Sequence, residues 1–393
     1  MTNMKRIAAL AMAGVLSVAL LAGCQTNGGA SSGGDVSAPG LDVKVENISD
    51  IGQYLTGLPS DQVVATVNGE ISITAGELCH WLIADCDSIL SEYAYMGLSE
   101  LPWDTEIEGT TMSKLLMEDA VYMAAIQRLI EKQAQTENLS VSKGDQEAID
   151  TALDILKEQA KTQQGLELEP FLWQYGMSEQ LYRWNCECDY LYMALTQARY
   201  GEGTEGYPDD QTVLDYVNET GAYSVKHILL ATMDLYTGTT LSEADLLLKE
   251  NQAKKLLEQL RASEDPIALF DELMTEYSED PGLVENPHGY IFTPNGNVDP
   301  AFEKAALALK EGEISEIVEG ESGYHIILRL PLEVDAADYR EAYITEKMTQ
   351  QANQWLEDAK IEYTDAFTKL DAKAIYEAVG ALRAKLLPEK TEE

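Results

Sequence analysis

Tyr223–Ala231 reads YSVKHILLA, and Gly323–Leu330 reads GYHIILRL. Each is a short run of aliphatic, aromatic and β-branched residues, the signature of a strand, and each carries one histidine, His227 or His325. Working inward, Ser242–Ala262 places Leu246, Leu247, Leu256, Leu257 and Leu260 on a helical pattern. Asp265–Tyr277 is a shorter helix that starts at Pro266, where the missing N–H costs nothing. Asp280 to Pro300 is rich in proline, glycine and acids and reads as loop. Pro300–Leu309 is a third helix, stopped by Gly312. The order β-α-α-loop-α-β gives a small α+β domain of about a hundred residues.

On either side the periodicity is helical. Val63–Glu77 first makes a small hairpin: Val-Val-Ala-Thr-Val, an Asn-Gly turn, then Ile71 and Ile73 alternating on the return. Thr74 and Glu77 form a capping box that opens a helix. Met112–Gln135, Asp145–Gln164 and Ser178–Ala198 follow as helices, Leu116, Ala120, Met123, Ile126 and Ile130 marking the apolar face of the first. Gly-rich, acidic residues 201–209 break the pattern. After Pro331 the chain returns to helix over Tyr339–Lys369 and Ala372–Leu387.

The first residues read as an address. Lys5 and Arg6 precede an uncharged, mostly apolar stretch from Ile7 to Ala22 that ends Leu21-Ala22-Gly23-Cys24. This resembles the bacterial lipoprotein box, which implies lipidation of Cys24 and a membrane anchor. Gln25–Gly40, rich in glycine and serine, is a flexible tether. Residues 1–23 are thus read as signal peptide, 24–50 as tether, 60–220 and 333–393 as two parts of one helical domain, and 221–332 as the α+β insert.

The chain of 393 residues has 68 acidic and 27 basic side chains, a formal charge of −41. A surface of that sign repels phosphate backbones, which argues against nucleic acid as a partner. Five cysteines over this length make no disulfide scaffold. A bond between Cys79 or Cys86 and Cys186 or Cys188 stays open as an expectation. A zinc site from these residues would need an unusual arrangement, and no metal or cofactor is expected. Phe171, Trp173, Tyr175, Tyr182 and Trp184 read as core, with a greasy cleft for unfolded chains as the alternative.

Residues 223–332 resemble a parvulin-type peptidyl-prolyl isomerase. The matching pieces are Lys226-His227-Ile228-Leu229, Glu276-Tyr277-Ser278-Glu279-Asp280, Phe302-Glu303-Lys304-Ala305-Ala306, Leu309-Lys310-Glu311-Gly312-Glu313-Ile314-Ser315 and Ser322-Gly323-Tyr324-His325-Ile326-Ile327. Their joint order and spacing carry the signal; no single piece would suffice. With the opening hairpin and helical flanks, the layout resembles exported foldases of the PrsA and SurA type. That resemblance implies an α+β fold: a small parvulin-like domain, an antiparallel sheet with surrounding helices, inserted in a mainly helical chaperone domain.

It also implies the site. His227 and His325 fall at the two family histidine positions, buried and bonded to each other. Asp280 falls where the family carries Cys or Asp, and Ser322 at a site hydroxyl. Val298 and Phe302 match the residues that hold the proline ring, with Phe292 as a third wall. Two departures stand out. Glu285-Asn286-Pro287-His288-Gly289 replaces a Gly-Gly-Asp-Leu-Gly stretch, and Val298 stands where a longer residue such as Met is common. Residues 231–248 hold Asp234, Glu243 and Asp245 and no Lys or Arg, which argues against a phosphorylated residue before proline. The implied activity is cis-trans isomerisation of X-Pro bonds in newly exported, unfolded polypeptides, basic ones favoured by the charge. The layout also admits a homodimer through the helical arms. Two other readings stay open: a non-enzymatic holdase with a degenerate parvulin domain, and an envelope lipoprotein that binds one fixed partner.

Overall fold

The computed structural model describes residues 44–386 except 96, 108 and 295. The signal peptide, Cys24 and most of the tether lie outside the described residues. The chain divides into a helical unit, up to Tyr207 and again from Ile344, and an inserted unit, Pro208–Tyr343. The insert is therefore longer at both ends than the 221–332 read from the sequence.

The helical unit starts with α1 (Ile51–Thr56), β1 (Val63–Val67), β2 (Ile71–Thr74) and α2 (Ala75–Tyr95). A minor hairpin, β3 (Glu106–Ile107) and β4 (Thr110–Thr111), leads into α3 (Met112–Thr136), α4 (Lys143–Gln159), α5 (Leu168–Trp173) and α6 (Glu179–Tyr200). The insert holds α7 (Asp210–Glu219), β5 (Tyr223–Ala231), α8 (Glu243–Ala262), α9 (Pro266–Tyr277), β6 (Tyr290–Phe292), α10 (Pro300–Ala308), β7 (Val318–Glu319) and β8 (Gly323–Leu330). The chain then runs through α11 (Ala336–Asp358), β9 (Ile361–Tyr363) and α12 (Ala372–Leu386).

In the helical unit the Asn-Gly turn works as its residues demand, with Asn68 at φ 54° and Gly69 at φ 72°. The reading of Tyr339–Lys369 as one helix is overturned. The helix ends at Asp358, and Ile361–Tyr363 pairs antiparallel with β1, Val67 opposite Ile361 and Ala65 opposite Tyr363. Asn68 explains the switch: its N–H donates to the Lys360 carbonyl at 2.8 Å and its Oδ1 accepts the Lys360 N–H at 2.9 Å. The Thr364 N–H adds a bond to the Val64 carbonyl. Val64 and Val67, with Leu78 and Leu82 of α2, Leu116 and Ala120 of α3, and Ile375, Val379 and Leu382 of α12, share one core. The last described helix thus shares one core with the first described strand.

Glu77 is the polar knot of this unit. Its Oε2 accepts the Thr74 N–H at 2.7 Å, completing the expected capping box. Its Oε1 accepts from Arg128 Nε on α3 at 2.7 Å, and the same guanidinium lies 4.1 Å over the Trp184 ring of α6. Of the aromatic cluster, Phe171 and Tyr182 are buried with Leu153 and Leu172, while Trp173, Tyr175 and Trp184 are half-buried. Cys79, Cys86, Cys186 and Cys188 are all free and buried. The open disulfide expectation is therefore not met: Cys79 and Cys86 sit in the core around β1, while Cys186 sits in the separate cluster with Tyr182. Burial pushes the Cys79 thiol up to about 12.

Asp85 is out of place among these apolar contacts. Its Oδ2 is enclosed without a hydrogen-bond partner, and burial, then the charge of Asp119, pushes its carboxyl up to about 8. A raised carboxyl pKa stabilises the fold below the unfolded value and loses that stabilisation as pH rises through the folded value. Asp85→Asn is therefore expected to raise the melting temperature at pH 8 and to change it little at pH 4, near the unfolded value. Equal shifts at both pH values would contradict this.

In the insert the four strands run in the order β6-β5-β8-β7, all antiparallel. The loop reading of Asp280–Pro300 is corrected by β6, whose Tyr290 and Phe292 pair with Val225 and Tyr223. β7 was likewise not foreseen. Strand alternation sorts the side chains. Ile228, Leu230, Ile326 and Leu328 face α8 and α9 and pack on Leu256, Leu260, Phe270 and Met274. The opposite face carries Tyr223, Val225 and Ile327 against Phe302 and Ala306 of α10.

Candidate active site

His227 and His325 belong to the α10 face, because each is an even number of residues from Val225 or Ile327 on its strand. The β5–β8 register sets Leu229 opposite His325 and His227 opposite Ile327, so the histidines are diagonal neighbours. Their rings lie 5.3 Å apart at 28°, and Nδ1 of one is 3.2 Å from Nδ1 of the other. Asp280 reaches the pair from just beyond α9, its Oδ2 3.2 Å from His227 Nε2. Tyr290 donates its hydroxyl to the same oxygen at 2.5 Å. Gly282 makes that contact feasible, since a Cβ there would stand 2.5 Å from the Tyr290 hydroxyl.

Phe302 closes the other side. Its ring meets His227 edge-on at 5.2 Å and 80°, and His325 at 5.2 Å and 74°. Phe292 stands edge-on to Phe302 at 6.2 Å and stacks on Tyr290 at 5.5 Å. The structure therefore brings together His227, His325, Asp280, Phe302 and Phe292. Val298 is half-buried immediately before the residue that caps α10, outside these ring contacts. Ser322 sits at the entry to β8, where its carbonyl accepts the Thr232 N–H at 3.0 Å. The hydrogen bonds of the ring cluster do not include its hydroxyl.

Tyr290 and Asp299 were missed by sequence reasoning. Tyr290 was hidden in a stretch taken as loop. Asp299 carried a readable signal, Asp before Pro300 at a helix start, since Asp is a preferred N-cap and Pro a preferred first residue. The retained glycine of the altered stretch, Gly289, has φ +104°, and a Cβ there would lie 2.5 Å from the Val225 carbonyl. Only glycine fits where the chain crosses back onto β5.

The electrostatics favour a neutral His325 and an ionised Asp280. Burial alone would raise the Asp280 carboxyl, but hydrogen bonds from His227 and Tyr290 and the Gly282 N–H hold it down to about 2. Burial, then the neighbouring His227, pushes His325 down to about 4. Both folded values lie below the unfolded ones, so both groups contribute stability that is lost on acidification. His325 loses it from about 6.5 down to about 4, and Asp280 from 3.8 down to about 2. The insert is therefore expected to lose stability in two acid windows, with His325→Phe removing the upper one. Unaltered acid unfolding in that variant, followed by circular dichroism, would contradict the assignment.

Comparison with known proteins agrees with this geometry. Residues 227–330 match the PPIC-type PPIase domain, also called rotamase. These residues form a parvulin-type peptidyl-prolyl isomerase domain. The chain is 29% identical to foldase protein PrsA 2 of Listeria innocua over 237 residues, 58% of this chain and 72% of the relative. It is 43% identical to foldase protein PrsA of Clostridium botulinum over 91 residues, 22% of this chain and 26% of the relative. A solved structure of peptidylprolyl isomerase (PrsA) from Bacillus cereus aligns with 82% of this chain and 99% of its own, at 18% identity and a TM-score of 0.31. In sequence, the matched residues fall between the two parts of the helical unit.

Proposed function

We propose that this protein is an extracytoplasmic foldase that catalyses cis-trans isomerisation of X-Pro bonds, with client binding by the helical unit. The observation that carries this is the Phe302 ring set edge-on against a bonded histidine pair. An X-Pro bond turns slowly because rotation breaks amide resonance, at a barrier of about 18–20 kcal/mol. At the half-turned state the prolyl nitrogen is pyramidal and its carbonyl has lost amide character, so no covalent bond need form. Phe302 and Phe292 offer an apolar seat for the proline ring, with Val298 at its edge. The dry histidine–Asp280 network, fixed before substrate arrives, favours the twisted amide over the planar one. Ser322 is proposed as a hydroxyl that reaches the substrate once bound.

The Cys24 box supports a lipid-anchored protein, and no helix among the described residues is long and apolar enough to cross a membrane. One acyl chain anchors weakly, at about 0.8 kcal/mol per buried methylene, so stable attachment takes more than one chain on Cys24. The charge of −41 on a tethered body favours basic, unfolded clients, and pairing of two copies through the helical arms belongs to the same reading. The test is refolding of a client whose slow phase is an X-Pro isomerisation. The full chain is expected to speed that phase at substoichiometric amounts. Its binding to basic clients is expected to weaken as salt rises from 50 to about 500 mM, as screened charges do. An unchanged slow phase would overturn the isomerase, and salt-independent binding would overturn the charge preference.

A further inference from the structure

We propose that Asp299 is a positioning residue for the isomerase site, which clasps the Phe302 helix to the histidine strand and draws added protons onto Nε2 of His325. This rests on the isomerase reading of the site and assigns a part to a residue outside it. Asp299 caps α10, its Oδ1 accepting the Phe302 N–H at 2.9 Å. Its Oδ2 accepts the Glu321 N–H at 2.8 Å, from the turn that joins β7 to β8. One carboxylate thus holds the backbone of the proline seat and the turn that leads to His325.

The third observation is a buried atom without a partner. His325 is 6% exposed, and its Nε2 makes no hydrogen bond. Gly320 borders both that nitrogen and Asp299: a Cβ at Gly320 would stand 3.1 Å from Nε2 of His325 and 3.1 Å from Oδ2 of Asp299. Proton counting gives the gap a meaning. The ionised Asp280 requires a proton on Nε2 of His227. The Nδ1–Nδ1 contact holds one proton between the rings. A neutral pair has two protons, and both are now placed, so Nε2 of His325 is bare. A third proton, taken from solvent, has that one nitrogen left to occupy. The titratable groups that face His325 are His227, Asp280 and Asp299, and of these Asp299 is the carboxylate on the Nε2 side. Its charge stabilises the added proton, while burial and His227 oppose it. Protonation there sets a cation beside the Phe302 ring, so Asp299 fixes where acid begins to silence the site.

The experiment is imidazole ¹⁵N NMR of the full chain labelled at histidine, titrated downward from pH 7, beside an isomerase pH profile. In the wild type at neutral pH, His325 is expected to carry its proton on Nδ1, with Nε2 bare and taking up a proton on acidification. Asp299→Asn keeps an oxygen for the Phe302 N–H and removes the charge. It is expected to move the Nε2 titration, and the acid limb of activity, down by about one pH unit. Gly320→Ala keeps both side chains and sets a methyl against each, and it is expected to move the same titration. If Asp299→Asn does not fold, Gly320→Ala decides the question. Titrations that coincide with wild type, or a neutral His325 protonated on Nε2, would overturn the proposal. Absence of isomerase activity with the NMR shift intact would instead overturn the isomerase reading.

Discussion

Replacing Phe302 by Ala is expected to lower kcat/KM for X-Pro peptides roughly 10- to 100-fold, the equivalent of the ~1.5–3 kcal/mol that burying an apolar ring provides. The same change also touches the fold, because the ring is part of the core. Phe302 is 4% exposed and packs with Tyr223, Val225, Ala306 and Ile327. Truncation leaves a cavity there and is expected to cost the insert about 3–5 kcal/mol. Phe302→Leu separates the two effects, since it refills most of the space without the aromatic edge. It is expected to retain more stability than Phe302→Ala and still lose activity. Thermal melts of both variants beside peptide assays below the melting range check this. Wild-type turnover in Phe302→Leu would remove the ring from the mechanism.

In the helical unit the largest effect on stability is expected at Arg128. Its partner Glu77 has a side chain only 3% exposed and receives Nε of Arg128 at 2.7 Å. Removing one member of a buried pair leaves the other charge without compensation, at about 3–5 kcal/mol. Arg128→Met keeps a flexible apolar stem against Trp184 but strands Glu77. Joint replacement with Glu77→Gln removes both charges and is expected to recover much of the loss, less the value of the capping box. Urea unfolding followed by tryptophan fluorescence measures all three. A single variant as stable as the wild type would show the pair to be dispensable.

Both sites show why some features were legible in the sequence and others were not. The histidine pair could be placed because strand alternation and the spacing of the matching pieces are local signals. The same holds for the Asn68-Gly69 turn and the Thr74–Glu77 cap. β9 could not be placed. Three residues carry too little periodicity, and the partner strand lies some three hundred positions earlier, tied through Asn68 to Lys360. Tyr290 was hidden for the same reason, since β6 exists through its pairing with β5. Phe302 was read as a wall of the site, but its share in the core depends on which strand residues face α10. The cysteines misled because spacing cannot say that Cys79 and Cys186 enter different cores.

Exchange NMR on an unphosphorylated X-Pro peptide, with and without the full chain, tests the central claim most directly. The account predicts that catalytic amounts of the protein bring the cis and trans resonances into exchange on the subsecond scale, against tens to hundreds of seconds uncatalysed. It also predicts that Phe302→Leu abolishes most of that exchange. Cis-trans exchange as slow with the folded wild-type protein as without it would contradict the account.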